Sequence, residues 1–224
     1  MEADWPELQV ILFTPDGQAV VAGGDADEVN CTGEVLVLGT NDGHVRSRFR
    51  TGHIACQNWF SISPDSRQLA ARHSDKLLGI WSLASGELQQ TITVDDGPDV
   101  VAYSPDGDLL AIGEGNAVVL RRACNGSLFR NLRGFNNHWV DVIAFSPDGT
   151  LLAFANCEDP VIQMWCVEDG RLLKTLPGYA DSISFLGDRE FVTSYDSTHK
   201  TIGGFQVWRV PDGELLWHEP PHSP

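Results

Sequence analysis

The segment VDVIAFSPDG, residues 140–149, contains the pattern that decides the fold of this 224-residue chain. An apolar run leads into Ser-Pro-Asp-Gly, in which proline presets φ and Asp-Gly favours a tight turn between strands. Related segments are FTPDG ending at Gly17, ISPDS ending at Ser66, YSPDG ending at Gly107 and a degenerate FLGDR ending at Arg189. Their third letters follow one another at intervals of 49, 41, 42 and 40 residues. The pattern therefore predicts five repeats of about 42 residues.

A second marker follows each of these turns. It is a large residue at the end of a predicted strand, with a glycine five positions later. The pairs are Leu38 and Gly43, Trp81 and Gly86, Arg121 and Gly126, Trp165 and Gly170, and Trp208 and Gly213. Two independent markers keep the same period, which supports a true repeat.

Each repeat contains four short segments of strand-forming residues separated by turn residues. In the fourth repeat, VDVIAF precedes the first turn, LLAFA follows it, and VIQMW precedes a second turn in VEDGRL. Short apolar runs and alternation of apolar with polar residues are typical of β-strands. No ten-residue stretch has the apolar spacing of a helix. The predicted fold class is all-β.

Four-stranded antiparallel sheets that recur in this way can bury both of their faces by stacking around an axis, which predicts a β-propeller. Over residues 7–218 the sequence resembles the WD-repeat β-propeller family in its SPDG turns, its third-strand tryptophans, the glycine after each, and the single Gly52-His53 pair. We expect one domain over residues 1–224, with a proline-containing tail at 219–224. The predicted blades are residues 7–53, 54–96, 97–135, 136–178 and 179–218.

The closure of the ring is left open by the sequence. The resemblance implies seven blades as the usual number, whereas five are recognisable here. A closed five-bladed ring, a partial ring, a ring completed by a homo-oligomer or another chain, and a fragment of a larger WD-repeat protein are all compatible with the repeats. An open ring would expose two apolar blade faces, which soluble monomers seldom tolerate.

The resemblance also implies a buried hydrogen-bond network that joins a loop histidine, a hairpin aspartate and the third-strand tryptophan. The second blade contains all three, as His53, Asp75 and Trp81. In the fourth blade, Asp159 and Trp165 are expected to make a partial version. The aspartate that follows the tryptophan in the family is absent from every repeat, so we expect sparse networks and stability that comes mostly from apolar packing between blades.

The net charge excludes some classes of function. The 15 lysines and arginines against 31 aspartates and glutamates give a formal net charge of −16, which opposes a role in binding nucleic acid. No apolar run approaches the roughly 20 residues of a membrane helix. The five cysteines are odd in number and lack CxxC spacing, which favours free thiols in a reducing compartment, most simply the cytoplasm.

Loops between second and third strands, and between consecutive blades, lie on one rim of a propeller. In this chain they are rich in acidic residues and contain several aromatic ones. The candidate partner-binding residues are Trp59, Asp99, His138, Trp139, Tyr179, Asp181, Tyr195 and Asp196. Aromatic anchors with an acidic surround suit a protein or peptide partner of basic character, although a merely solvated acidic surface would have the same composition.

No catalytic or cofactor motif is present in the sequence. It lacks GxSxG, a phosphate-binding glycine loop, and zinc or calcium spacing, and no pair of catalytic carboxylates can be assigned. We therefore predict a non-catalytic protein-interaction scaffold that needs no cofactor. The alternative is a propeller-fold hydrolase or lyase that acts on a glycan or small molecule through carboxylates at the mouth of the central channel.

Overall fold

The computed structural model describes residues 7–27, 32–52, 60–134, 139–156, 159–195, 204–210 and 212–218. These residues form twenty β-strands in five four-stranded sheets, and the described part of the chain contains no helix. The all-β prediction is therefore confirmed.

Each of the five predicted blades contains one sheet. The first sheet is β1 (Glu7–Phe13), β2 (Ala19–Asp27), β3 (Thr32–Gly39) and β4 (Val45–Gly52). The second is β5 (Phe60–Ile62), β6 (Gln68–Ser74), β7 (Leu77–Ser82) and β8 (Leu88–Thr93). The third is β9 (Pro98–Tyr103), β10 (Leu109–Glu114), β11 (Ala117–Arg122) and β12 (Leu128–Arg133). The fourth is β13 (Val142–Phe145), β14 (Leu151–Ala155), β15 (Val161–Cys166) and β16 (Leu172–Pro177). The fifth is β17 (Ser182–Gly187), β18 (Glu190–Tyr195), β19 (Gly204–Arg209) and β20 (Glu214–His218).

Strands within each sheet pair in sequence order and antiparallel. The hairpins between first and second strands, and between third and fourth strands, therefore lie at one end of every sheet. The hairpins between second and third strands lie at the other end, together with the connections to the next sheet. The propeller consequently has two rims, and the SPDG turns belong to the first of them.

The SPDG turns are held by the same side-chain network in four blades. In the third blade, Ser104 Oγ donates to Asp106 Oδ1 at 2.5 Å and accepts from the Leu109 amide at 2.9 Å. The Asp106 carboxylate also accepts from the Asp108 amide at 3.0 Å. These bonds stabilise the ionised carboxylate, so the pKa of Asp106 lies below its usual value, the Ser104 hydroxyl being the largest cause. Equivalent bonds hold the pKa of Asp16, Asp65 and Asp148 below the usual range.

The second blade departs from this pattern at one position. Ser66 has φ 63°, the left-handed conformation that the glycines at positions 17, 107 and 149 adopt in the other three turns. A side chain is strained there. Its hydroxyl accepts a hydrogen bond from the Asp16 amide of the first blade at 3.0 Å, so it links two neighbouring turns.

Apolar side chains fill the space between consecutive blades. Between the first and second blades, the rings of Phe49 and Trp81 stack at 5.9 Å. Between the third and fourth, Leu120 and Leu132 pack against Phe154, which is fully buried. The indole of Trp208 lies in the core between the fourth and fifth blades. Burial of these side chains stabilises the fold, and the prediction that packing between blades is the main source of stability stays a prediction.

The ring is open. Packing joins each blade to the next along the chain, and the described residues show no comparable packing between the first and the fifth blades. Phe13 of the first blade is 69% exposed and Trp217 of the fifth is 51% exposed. Of the alternatives left by the sequence, the closed five-bladed ring is therefore wrong, and the structure is a partial ring.

Candidate functional site

The partner-binding residues were predicted on the rim opposite the SPDG turns, which we call the Trp139 rim. It comprises the hairpins between second and third strands together with the connections between sheets. Of the candidates, Trp59, His138 and Asp196 lie outside the described residues, and Asp99 is described as a backbone position in β9. The topology brings the other four, Trp139, Tyr179, Asp181 and Tyr195, to this rim.

Trp139 presents an exposed indole on a backbone that is held in place. Its side chain is 52% exposed, whereas the next residue, Val140, is 1% exposed. The Val140 amide donates to the Gly115 carbonyl at 3.2 Å, and the Asp141 amide donates to the Ala155 carbonyl at 3.1 Å. These bonds attach the Trp139 segment to hairpins of both the third and the fourth blades.

The other three candidates are less accessible than Trp139. Tyr179, Asp181 and Tyr195 are each half-buried. The Asp181 amide donates to the Ser194 carbonyl at 2.9 Å, which extends the pairing of β17 with β18. Among the described candidates, Trp139 therefore offers the most accessible aromatic surface.

Acidic groups occur on both rims. The described acidic residues of the Trp139 rim include Asp75, Asp95, Asp96, Asp141, Asp159 and Asp181. The opposite rim includes Asp16, Asp42, Asp65, Asp106, Asp148 and Asp188. Several of the latter are engaged in the turn networks described above, whereas Asp75, Asp95 and Asp96 of the Trp139 rim are exposed. Negative charge alone therefore does not distinguish the rims.

A polar groove of about 560 Å³ lies next to the Trp139 rim, on the face of the third blade that packs toward the second. Its lining residues are Asp95, Glu114, Asn116, Ala117, Val119, Asn131, Arg133 and Gly134. The Glu114 side chain is 3% exposed, and its carboxylate accepts from Arg121 Nε at 3.2 Å and from the Asp95 amide at 2.8 Å. Glu114 is thus a satisfied structural group that fixes the loop between the two blades.

This groove was not predicted, although the sequence contains a signal for the ion pair beside it. Glu114 ends the apolar segment LLAIGE, and Arg121 follows seven residues later in the partner strand. Opposite charges in two paired apolar strands indicate a buried ion pair, since an isolated buried charge would be costly.

The predicted network of the second blade is wrong at Asp75. This residue lies in the short turn between β6 and β7, where its side chain is 96% exposed and forms an ion pair with Arg72 at 2.9 Å. Trp81 is buried by aromatic neighbours instead, with the His73 ring edge-on at 5.8 Å. His53 lies outside the described residues.

The partial network of the fourth blade also differs from the prediction. The single indole N–H of Trp165 donates to Gln163 Oε1 at 3.1 Å, and Gln163 Nε2 donates to the Gly134 carbonyl at 3.2 Å. Asp159 is bound locally, since its amide donates to Asn156 Oδ1 at 2.6 Å. Gln163 and Trp165 are two residues apart on β15 and therefore share a face of the sheet. The Gln163 side chain, rather than that of Asp159, accepts the indole N–H.

In the fifth blade, the indole N–H of the tryptophan has a different hydrogen-bond partner. The indole N–H of Trp208 donates to Thr193 Oγ1 at 3.4 Å across the β18–β19 pair. Gln163 and Thr193 were not singled out by sequence analysis, and the signal for them is a polar residue in an otherwise apolar strand beside a third-strand tryptophan. The second, fourth and fifth blades therefore each bury a third-strand tryptophan without sharing one polar network.

No constellation for catalysis emerges from the described residues. They contain no group of three or more His, Cys, Asp or Glu side chains placed to hold a metal ion. Within the same ranges, no helix has the length and apolar character required to cross a membrane. Cys124 and Cys166 are free thiols; the predicted cytoplasmic location stays a prediction.

Comparison with known proteins supports the fold. The family model for the WD40 domain of anaphase-promoting complex subunit 4 matches residues 101–189, which lie in the third to fifth blades. No curated protein matches the chain in sequence. Among many similar solved structures, that of U3-55K superposes with a TM-score of 0.78 at 16% identity and covers 97% of this chain but 65% of that chain. This chain thus spans about two thirds of the length of that protein, and the likeness concerns the fold alone. Together with the repeats, these matches support a WD-repeat β-propeller fold, and the chain is similar to that family over residues 101–189.

Proposed function

We propose that this chain is a non-catalytic protein-interaction module, and that its Trp139 rim binds a basic segment of a protein partner. WD-repeat propellers in general serve as scaffolds for protein interactions, which supports the class of function. The single observation that carries the site is the 52% exposed indole of Trp139 on a backbone fixed by the buried Val140.

A fixed and exposed tryptophan is well suited to anchor a partner. Tryptophan is enriched among the residues that dominate binding energy, and it contributes a large contact area with few rotatable bonds. Because the Trp139 segment is bonded to Gly115 and Ala155, little backbone order has to be gained when a partner binds. The anchor is therefore preorganised.

Charge on the same rim favours a basic partner. Asp75, Asp95 and Asp96 are exposed there, and the chain as a whole carries a formal charge of −16. Carboxylates around an aromatic anchor attract lysine and arginine over distances near the Debye length of about 8–10 Å. Binding should therefore weaken as the salt concentration rises.

The test compares three labelled peptides, one arginine-rich, one neutral and one acidic, binding to the full chain, as followed by fluorescence anisotropy. We expect the arginine-rich peptide to bind, more tightly at about 50 mM than at about 300 mM salt. Trp139→Ala should weaken its affinity by about tenfold or more, equivalent to ~1.4 kcal/mol.

Trp217→Ala is the matched control, because Trp217 is 51% exposed but lies in the outer strand of the fifth blade. It should leave the affinity of the arginine-rich peptide unchanged. Equal affinities of the wild type and Trp139→Ala, or a preference for the acidic peptide, would contradict the proposal.

A further inference from the structure

The third blade differs from its neighbours near the end of its third strand. Trp81, Trp165 and Trp208 occupy this position in the second, fourth and fifth blades, whereas the third blade has Arg121 there. In the second blade, the indole of Trp81 lies so close over Gly79, two residues earlier on the same strand, that a methyl group on Gly79 would overlap the ring. The indole therefore covers the part of the sheet that leads to the hairpin between the second and third strands.

An ion pair takes the place of the indole in the third blade. Arg121 is bonded to Glu114, and Val119 is the residue two positions before Arg121. Ala117 lies on the same face as Val119, because alternate residues of a strand share a face. Both residues line the groove of about 560 Å³ described above, and no aromatic residue is among the described residues that line it. This volume is within the range of about 300–1,000 Å³ that is usual for binding pockets.

The two sides of the groove carry opposite charge. Cross-strand pairing places Glu114, Ala117 and Arg133 in one row across β10, β11 and β12. Two strand spacings of about 4.8 Å separate the backbones of Glu114 and Arg133, or ~9.6 Å in all. The Asp95 amide is bonded to the Glu114 carboxylate, so Asp95 lies on the Glu114 side. The groove thus has an apolar floor, an acidic side and a basic side.

The charges that a ligand can reach in the groove are those of Asp95 and Arg133. Both residues are exposed, and within the described part of the chain neither side chain forms a hydrogen bond or an ion pair. The Glu114 carboxylate is instead engaged by Arg121 and by the Asp95 amide. A carboxylate and a guanidinium that line one groove without pairing with each other favour an occupant that carries both charges.

A ligand of one charge sign fits this groove less well. A purely basic segment would place a cation near Arg133, a purely acidic one would place an anion near Asp95, and like charges at short range oppose binding. A long basic side chain can lay its aliphatic stem on Ala117 and Val119 while its head group reaches Asp95. Alternate residues of an extended peptide lie about 6.6–6.8 Å apart on one side of the chain. A basic residue and an acidic residue two positions away can therefore reach the two sides of the groove.

We propose that this groove between the second and the third blades binds an extended peptide segment of a protein partner, in which a basic and an acidic residue are two positions apart. The basic side chain lies on the apolar floor and pairs with Asp95, and the acidic side chain pairs with Arg133. Asn131, which also lines the groove, offers an amide donor and acceptor to the backbone of the segment. The site does not include Trp139, so it goes beyond the proposed function and does not depend on it.

The test measures the binding of labelled peptides to the full chain by fluorescence anisotropy at low salt. The first peptide contains Arg-Ser-Asp between glycine-serine flanks. The second has the same composition, with its arginine and aspartate about eight positions, or ~26 Å, apart. We expect the first peptide to bind about tenfold more tightly than the second, because only the first can reach both sides of the groove.

A charge reversal in the groove should reverse this preference. Arg133→Glu should weaken the binding of the Arg-Ser-Asp peptide by about tenfold, and it should make an Arg-Ser-Arg peptide the tighter ligand of the two. Asp95→Asn should weaken the binding of the Arg-Ser-Asp peptide by about threefold to tenfold, because it removes the charge that pairs with the arginine.

Arg50→Glu is the matched control, because Arg50 is an exposed arginine in the outer strand β4 of the first blade. It changes the net charge by the same amount as Arg133→Glu and should leave the affinity of the Arg-Ser-Asp peptide unchanged, as should Trp139→Ala. Because Asp95 and Arg133 are exposed, the groove variants should keep the thermal unfolding temperature of the wild type. Asp95→Ser and Arg133→Gln replace any variant that does not.

Three results would overturn the proposal. They are no binding of the Arg-Ser-Asp peptide at about 1 mM, equal affinities for the first and second peptides, and equal affinities of the wild type and Arg133→Glu for the first peptide. If Trp139→Ala leaves the binding of the arginine-rich peptide unchanged while the Arg-Ser-Asp results stand, the proposed function is contradicted and the groove site is retained.

Discussion

The third and the fifth blades are built from the same strand pattern but differ in how many of their faces are covered. In the third blade, Leu110 and Leu120 point to opposite faces and both are fully buried. In the fifth blade, Phe191 is fully buried on one face, whereas Phe205 on the other is 50% exposed. A strand with apolar residues at consecutive positions therefore specifies a sheet with two apolar faces, but the neighbouring blade decides whether both are buried.

The largest difference is expected between a buried phenylalanine of the core and an exposed one. Phe154→Ala should lower the free energy of unfolding by about 3–5 kcal/mol, because it removes a fully buried ring and leaves a cavity. Phe13→Ala should change it by about 0.5 kcal/mol or less, since Phe13 is mostly exposed. Urea denaturation followed by circular dichroism measures both. Similar losses in the two variants would show that the Phe13 side chain is buried in the folded protein.

The turn networks extend the comparison to polar groups. Ser146 is fully buried, donates to Asp148 and accepts from the Leu151 amide. Ser146→Ala should therefore cost about 1–3 kcal/mol, because that amide loses its partner. In the fifth blade, FLGDR takes the place of the SPDG pattern. The exposed Ser184 of β17 in that blade is the control for loss of a serine hydroxyl. Ser184→Ala should change stability by about 0.5 kcal/mol or less; equal losses in both variants would contradict the role of the network.

The smallest expected effect is a change in the acid sensitivity of the first four blades. The pKa values of Asp16, Asp65, Asp106 and Asp148 are lower in the folded chain than in the unfolded one. Their contribution to stability is thus present above the unfolded pKa of about 3.9 and is lost as the pH falls through the lower folded values. Asp106→Asn keeps an acceptor oxygen but cannot ionise, so its unfolding temperature should fall less steeply between about pH 5 and pH 2. Parallel curves for wild type and variant would refute this assignment.

Much of the fold could be predicted because it is encoded locally. Each SPDG turn and each third-strand landmark specifies a hairpin within a few residues of itself, so the number of blades and the order of strands followed from the sequence. Closure of the ring is different in kind. It depends on contact between strands such as β1 and β19. The order of apolar and polar residues along those strands is the same whether or not a neighbouring blade covers them.

The polar networks were predicted less well than the strands. Asp75 was expected in a buried network because of its place in the hairpin, but a turn between two strands leaves its side chain in water beside Arg72. The partners that satisfy the indoles, Gln163 and Thr193, come from the strands themselves. Trp139 was predicted as a rim residue, yet its fixed backbone became apparent only from the bonds to Gly115 and Ala155.

Hydroxyl-radical footprinting of the purified chain, with its monomeric state established by light scattering, tests the open ring most directly. The account predicts rapid oxidation of Phe13, Phe205 and Trp217 and slow oxidation of the buried Phe154 and Trp208. If Phe13 and Trp217 were protected as strongly as Phe154 in the monomer, the first and fifth blades would be in contact, and the open ring would be contradicted.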